Sequence, residues 1–382
     1  MTVLELTRDP AAACLEAAAA DPEHPTAAAV EALLAQASAL GASDLHVSPE
    51  AGGFRLRLRL DGVLEDMGRV PRERLPLLVQ RLKVLAGLLT YRTDVPQDGR
   101  VASEHNGGRC ELRVSVVPTL HGEKAVVRLL GQHGPQELAA LGWDAAARQA
   151  LERALAARQG LLCFAGPAGS GKTTAIYAAL RAMTARGGRS VCSIEEPIEA
   201  ELPGVDQTAV DRRAGLDFAG ALRALLRQDP EAIFVGEVRD RETAAIAVEA
   251  GLTGHLILTT VHAGHAGEAL GRLLDLHPEP SALASAVEVV LAQRLVRRRC
   301  AACAGQGGAC CRGTGYRGRF PLVEHLRLGP ALRRALLERA PVERLSSRAR
   351  EEGLVPLRAA GEAALARGET TAAELERALG QG

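Results

Sequence analysis

Residues 161–184 read LLCFAGPAGSGKTTAIYAALRAMT, and the fold of the chain is decided there. Leu161–Ala165 is a short apolar run of strand length, and Thr174–Thr184 has the composition of a helix. Between them Gly166-Pro167-Ala168-Gly169-Ser170-Gly171-Lys172-Thr173 is a full G-x-x-x-x-G-K-[ST] match. Glycines at these positions let successive backbone N–H groups turn inward and cradle phosphate. Lys172 then offers its charge to the β- and γ-phosphates, and the Thr173 hydroxyl is a ligand for Mg²⁺. Thr174 follows in the first turn of the helix, whose positive dipole end points at the anion. The strand before and the helix after are the context that separates a working loop from an incidental glycine-rich turn.

Working outward, Val191–Glu195, Ala232–Val235 and His255–Thr260 are further short apolar runs separated by helical stretches. That alternation predicts a parallel sheet covered by helices. Glu237 follows the third of the four strands. Alone, an acid after an apolar strand is usually a solvated loop residue; beside a phosphate loop it reads as a Mg²⁺ ligand acting through water. Upstream the texture differs. Phe54–Leu60 alternates apolar and arginine with a period of two, an Asp61-Gly62 turn follows, and strands are predicted at Arg109–Val117 and Lys124–Leu130. A helix is predicted over Arg74–Leu89 and a turn at Pro96–Gly99. Residues 1–40 are Ala-rich with helical stretches at Ala11–Ala20 and Ala27–Leu40, and from about Leu326 the chain reads as short helices.

At 382 residues the chain suits two or three domains. The divisions expected are a helical extension (1–40), a small α+β lobe (41–131), an α/β phosphate-loop domain (137–325) and a helical C-terminal region (326–382). Aromatics make up only 2% of the residues, so the cores must be aliphatic. The net charge of zero argues against a general nucleic-acid coat. The first thirty residues carry no secretory signal pattern. With no apolar run near the ~18–20 residues that cross a bilayer, a cytoplasmic protein is expected, with peripheral membrane contact at most.

Four blocks, in order, resemble the type II secretion and type IV pilus assembly ATPases, a branch of the hexameric phosphate-loop motors. They are GPAGSGKTTAIYA (166–178), SIEEPIE (193–199), ALRALLRQDPEAIFVGEVRDRETA (221–244) and GLTGHLILTTVHAGHA (251–266). ASDLHVSPE, RLRLRLDGVL, VPQDGRV and LRVSVVPTLHGEKAVVRLL are similar to the family's N-terminal lobe. LAQRLVRRRC, TGYRGR and the tail REEGLVPLRAAGEAALARGETTAAEL fit downstream, so the likeness runs from about Ala42 to the C-terminus. It implies a RecA-like ATPase domain, a PAS-like N-terminal lobe, a short Cys-rich insertion at 300–311 and a ring of six copies.

The resemblance also assigns roles. Glu199 matches the acid that positions or deprotonates the attacking water, a task suited to a carboxylate in line with the γ-phosphate. Glu195 matches another acid of the same box, and Glu196 stands where the family usually has Asp. His262 matches a γ-phosphate-sensing histidine, whereas His255 opens its strand and reads as structural. Ala263-Gly264-His265 departs from the T-N-D or T-N-S usual after that histidine. Arg100 and Arg113 match lobe arginines that reach nucleotide phosphates, where a guanidinium neutralises developing charge. Arg57, Arg59 and Arg128 are weaker candidates for that role.

Eight cysteines fall into two groups. Cys14, Cys110, Cys163 and Cys192 sit among apolar neighbours and read as small hydrophobes. Cys300, Cys303, Cys310 and Cys311 are clustered, which in a cytosolic chain suggests metal before disulfide. Assembly-type members of the family often carry two C-x-x-C pairs before T-G-Y-x-G-R. Here Cys300-Ala-Ala-Cys303 is a regular pair, but the partner position for Cys311 is Gly308, with Cys310 adjacent instead. The cluster is either a four-cysteine Zn²⁺ site with a strained second pair or a metal-free remnant.

The expected protein is an ATP- and Mg²⁺-dependent motor that drives pilin or pseudopilin assembly against an inner-membrane platform protein, with no nucleic-acid partner. Two alternatives stand beside it: a type IV secretion or conjugation ATPase, and a nucleotide-gated scaffold that does not hydrolyse.

Overall fold

The computed structural model describes residues 10–105, 108–130, 137–277 and 279–380. The segment between the expected lobe and phosphate-loop domain, 131–136, and the first nine residues of the N-terminal extension lie outside them. The chain divides into two compact units, one of residues 1–134 with 306–315 and one of residues 135–305 with 316–382.

The first unit opens with α1 (Pro10–Ala20) and α2 (Pro25–Ala39). Strands β1 (Asp44–Glu50), β2 (Gly53–Leu60) and β3 (Val63–Pro71) follow, then α3 (Leu78–Leu85), β4 (Gln97–His105), β5 (Gly108–Thr119) and β6 (Gly122–Leu130). The six strands form an antiparallel sheet in the order β3-β2-β1-β6-β5-β4. The period-two pattern works as expected. Leu56, Leu58, Val47, Val114 and Val127 enter one core with Val30, Leu33, Leu34, Leu78 and Leu82 of the helices. The alternate residues form the other face, where Arg59, Asp44, Arg128, Arg113 and Arg100 are cross-strand partners in one row. Like charges side by side are unfavourable. Buried Asp44 relieves part of that, accepting from Arg128 Nε at 3.0 Å and pairing with Arg59 at 3.4 Å.

Two expectations for this unit change. The helix predicted over Arg74–Leu89 is only Leu78–Leu85. Pro76 disfavours helical backbone at Leu75, and Gly87, at φ 65°, stops the far end in the left-handed conformation. The turn predicted at Pro96–Gly99 is instead the start of β4. Gly99 serves close approach there: a Cβ would meet the Ala86 carbonyl oxygen at 2.4 Å.

In the second unit α4 (Ala145–Leu155) leads into β7 (Gly160–Ala165), α5 (Lys172–Ala185), β8 (Val191–Glu195) and β9 (Asp206–Ala209). Next come α6 (Phe218–Leu225), β10 (Ala232–Val235), α7 (Arg241–Leu252), β11 (Leu256–Val261), α8 (Ala266–Leu276) and α9 (Pro280–Ala286). The long strands β12 (Val287–Arg299) and β13 (Tyr316–Arg327) flank the cysteine excursion. Helices α10 (Pro330–Leu337), α11 (Val342–Glu351), α12 (Leu357–Ala366) and α13 (Ala372–Leu379) close the chain. The sheet order is β13-β12-β7-β11-β10-β8-β9, parallel except for β13. The four strands expected from sequence are its centre; β9, β12 and β13 are additions.

Both faces of this sheet are covered, so its strands are continuously apolar. Leu161, Cys163, Ile233 and Ile257 pack one way with α7, α8 and α9. Leu162, Phe164, Phe234 and Leu258 pack the other way with α4 and α5. Each such side chain contributes about 1.5–3 kcal/mol on burial. Asp144, Asp217 and Asp240 cap α4, α6 and α7 by accepting from backbone N–H groups, each worth about 1 kcal/mol. By contrast α5 begins at Gly171 without a side-chain cap, leaving its N-terminal N–H groups for a ligand.

The last helix, α13, is fastened through a buried carboxylate of its own. Glu374 accepts from Arg297 N and Nε, both at 2.8 Å, and from Arg377 Nε at 2.7 Å and Nη2 at 2.6 Å. Thr370 and Glu369 add bonds to Arg297 O and Arg299 N. Glu374→Ala would leave Arg297 unpaired in a largely buried site, a loss of about 3 kcal/mol or more. Denaturant titration with proteolysis of the tail should show α13 released first, with Glu374→Gln less affected because it keeps an acceptor oxygen.

Candidate nucleotide site

The loop between β7 and α5 has the backbone that phosphate binding needs. Gly166 and Gly171 have φ of 151° and 90°. A Cβ at Gly166 would meet Ser170 Oγ at 2.4 Å, and one at Gly171 would meet Gln293 Nε2 at 2.5 Å. No other residue fits either position. Gln293, on β12, donates from Nε2 to Ser170 O at 2.7 Å and so braces the loop from beneath. Nothing in the local sequence marked Gln293, because its partner is 123 positions away.

Lys172 Nζ donates to Gly166 O at 2.7 Å and Pro167 O at 2.9 Å, folded across the loop. Burial, then the Arg294 cation, lowers its pKa to about 8, against the pull of Glu237. A phosphate arriving there meets a cation short of counter-charge. Arg294, half-buried on β12, is a second contributor the sequence reading passed over.

Thr173 Oγ1 lies 3.4 Å from Glu199 Oε1, so the hydroxyl suited to Mg²⁺ and the acid suited to water meet at one point. Glu237, just beyond β10, pairs with Arg239 at 2.5 Å. Its other oxygen is 3.8 Å from His262 Nε2. Burial, then the Lys172 cation, lowers the His262 pKa. That shift favours the neutral imidazole. Thr260 Oγ1 donates to Gly236 O at 2.7 Å, tying together the strand ends that carry Glu237 and His262. The donor set, two carboxylates and a hydroxyl beside a lysine, fits a hard divalent cation with a triphosphate.

Glu195 and Glu196 are engaged by other partners. Glu195 is 3% exposed and accepts from Tyr177 OH at 2.5 Å, Ser193 Oγ at 2.6 Å and Gln207 Nε2 at 3.0 Å. Glu196 forms a two-pronged pair with Arg212 at 2.9 and 3.1 Å, which holds its carboxyl below the usual range. Its extra methylene reaches Arg212. His255 contacts Ala250 O at the opposite end of β11 from His262. His265 caps α8, its Nδ1 accepting from Glu268 N at 3.2 Å, the service an Asp or Ser would perform there. Arg100 and Arg113 are cross-strand partners in the first unit.

The Sγ atoms of Cys300, Cys303, Cys310 and Cys311 all lie within 4.8 Å of one another. Tetrahedral Zn²⁺ with bonds of about 2.3 Å sets sulfurs about 3.8 Å apart, so the four fit the ion after a small contraction. The tight turn Ala309–Cys311, followed by Arg312 at φ 53°, lets adjacent cysteines converge. Gly308 N and Gly315 N reach Cys311 Sγ at 3.4 and 3.3 Å, the backbone support a thiolate ligand needs.

The family model described as type II/IV secretion system protein matches residues 19–377. The chain is 42% identical over 358 residues to the type II secretion system protein HxcR of Pseudomonas aeruginosa, spanning 91% of this chain and 76% of that one. It is 36% identical over 402 residues to the type IV pilus assembly ATPase PilB of Myxococcus xanthus, spanning 97% and 71%. The ATPase DotB of Legionella pneumophila shares its α/β fold, with a TM-score of 0.71, 22% identity and coverage of 91% and 94%. With one family model matched along nearly its whole length, this chain belongs to the type II/IV secretion system protein family.

Proposed function

We propose that the protein is an ATPase that works as a ring of six copies and drives pilin or pseudopilin assembly at the inner membrane, in type II secretion or type IV pilus biogenesis. The observation that carries this reading is the meeting of Thr173 and Glu199 at the mouth of the phosphate loop, beside Lys172 and Glu237. A loop that only bound nucleotide would need Lys172 and the glycines; an acid held beside the metal-binding hydroxyl is what hydrolysis adds.

In this reading the loop N–H groups and Lys172 hold the phosphates. Thr173 and Glu237 would hold Mg²⁺, which neutralises charge on the β- and γ-phosphates. Glu199 orients water on the γ-phosphate, and His262, neutral, registers whether that phosphate is present. Arg100 and Arg113 add guanidinium charge in the assembled ring. The division into 1–40, 41–131, 137–325 and 326–382 belongs to the same proposal, as do the PAS-like character of the lobe, the RecA-like character of the ATPase domain, and Zn²⁺ in the insertion. No helix among the described residues is long and apolar enough to cross a membrane.

The test is Mg²⁺-dependent ATP turnover across a protein-concentration series, with mass measured alongside. Specific activity should rise as six-membered assemblies form. Turnover that is absent at every concentration, with ATP still bound, would sink the motor reading.

A further inference from the structure

Glu199 lies in a strap between β8 and β9 and is exposed. Where its carboxylate can lie depends on how the backbone of this strap is mounted. Three hydrogen bonds mount that backbone. Glu199 N donates to Tyr177 OH at 3.1 Å. Ala200 O accepts from Gln207 Nε2 at 3.1 Å, and Leu202 N donates to Gln207 Oε1 at 2.7 Å. Both anchors then converge on one buried carboxylate. Tyr177 OH donates to Glu195 Oε2 at 2.5 Å, and Gln207 Nε2 donates to Glu195 Oε1 at 3.0 Å.

We infer that Tyr177, Glu195 and Gln207 are positioning residues for Glu199, a buried bracket that mounts the water-orienting acid on the phosphate-loop helix. The inference rests on the reading of Glu199 given above. Its geometry is directional. Because the Tyr177 proton goes to Glu195, the phenol oxygen is left to accept from the Glu199 amide. Tyr177 also stands four residues after Thr173 on α5, one turn along the same face. Thr173 therefore faces the Glu199 carboxylate while Tyr177 holds its amide, and both are mounted on one rigid element. If Tyr177 were merely a core side chain, its ring would suffice; it is 4% exposed, and a buried hydroxyl is unfavourable unless bonded at both lone pair and proton. Glu195, matched to an acidic position of the same motif as Glu199, thus acts on hydrolysis through the strap and touches no reacting atom.

The experiment compares the full chain with Tyr177→Phe, Gln207→Met and Glu199→Gln, measuring kcat, KM for ATP and the melting temperature. A misplacement near 1 Å can cost about 100-fold in rate. Tyr177→Phe and Gln207→Met should each lower kcat by roughly 10- to 100-fold, with KM within about twofold of wild type. Tyr177→Phe decides the matter if it melts above the assay temperature; if it does not, Gln207→Met decides alone. A deciding variant with kcat within twofold of wild type overturns the bracket. So does one in which kcat and KM deteriorate together, since that signals damage to the phosphate loop instead. Glu199→Gln separates the two levels: wild-type turnover in it removes the underlying reading, whereas its loss beside a fully active Tyr177→Phe removes only the bracket.

Discussion

Glu199→Gln is expected to lower ATP turnover by about 10²- to 10⁴-fold, the span of general acid–base contributions, while nucleotide affinity stays close to wild type. The substitution keeps the size and shape of the side chain and removes only its charge. Glu199 makes a 3.4 Å contact with Thr173, while the hold on phosphate is assigned to the loop N–H groups and Lys172, so the ground-state grip on ATP should survive. What is lost is an acceptor strong enough to orient and polarise water at the γ-phosphate. Steady-state turnover together with fluorescent-nucleotide binding separates these effects. A variant that turns over at the wild-type rate would falsify the role assigned to Glu199, and Glu237 would become the acid to test. Loss of binding and turnover together would mean that Glu199 supports the loop itself.

The second large effect concerns the cysteine excursion. One Zn²⁺ per chain is expected in the purified protein, and Cys311→Ser or Cys300→Ser should release it. Both side chains are buried and their sulfurs belong to the four-sulfur cluster. Four sulfurs gathered within 4.8 Å match the number and softness of ligands that a tetrahedral Zn²⁺ takes. Structural Zn²⁺ binding in small closed sites is worth about 10–16 kcal/mol, far more than the hydrogen bonds Gly305 N→Cys300 O and Thr314 Oγ1→Cys311 O can supply to this excursion. Chelation should therefore open residues 300–315 to protease before the sheet melts. Metal analysis reads this directly: protein purified without zinc, and unchanged in melting by either substitution, would identify the cluster as a metal-free remnant.

How much of this was legible beforehand differs by element. The four central strands of the second sheet could be read because each is buried on both faces and so is apolar throughout. The phosphate loop could be read because its backbone demands glycine at fixed spacing. Phe54–Leu60 could be read because one buried face imposes a period of two. The helix over 74–89 was overestimated because Pro76 and Gly87 act through backbone conformation, which an apolar pattern does not register. Strands β12 and β13 were not expected: β12 is apolar only where it crosses the sheet and turns arginine-rich beyond it, so neither period dominates.

The sequence by itself determined the α/β fold class and marked the phosphate loop with the acids proposed to work beside it, since those depend on local spacing and residue type. It also marked the cysteine cluster, though not whether adjacent cysteines could converge; the turn at 309–312 decided that. Only the tertiary structure decided which partners each acid of SIEEPIE takes. Glu195, Glu196 and Glu199 are the same residue type within five positions, yet one is buried under three donors, one is paired with Arg212 and one meets Thr173. It likewise decided that Gln293 braces the loop and that Tyr177 holds the strap. The physical reason is common to all of these: a hydrogen bond's partner is set by how strands and helices pack across long sequence separations, and no local pattern encodes it.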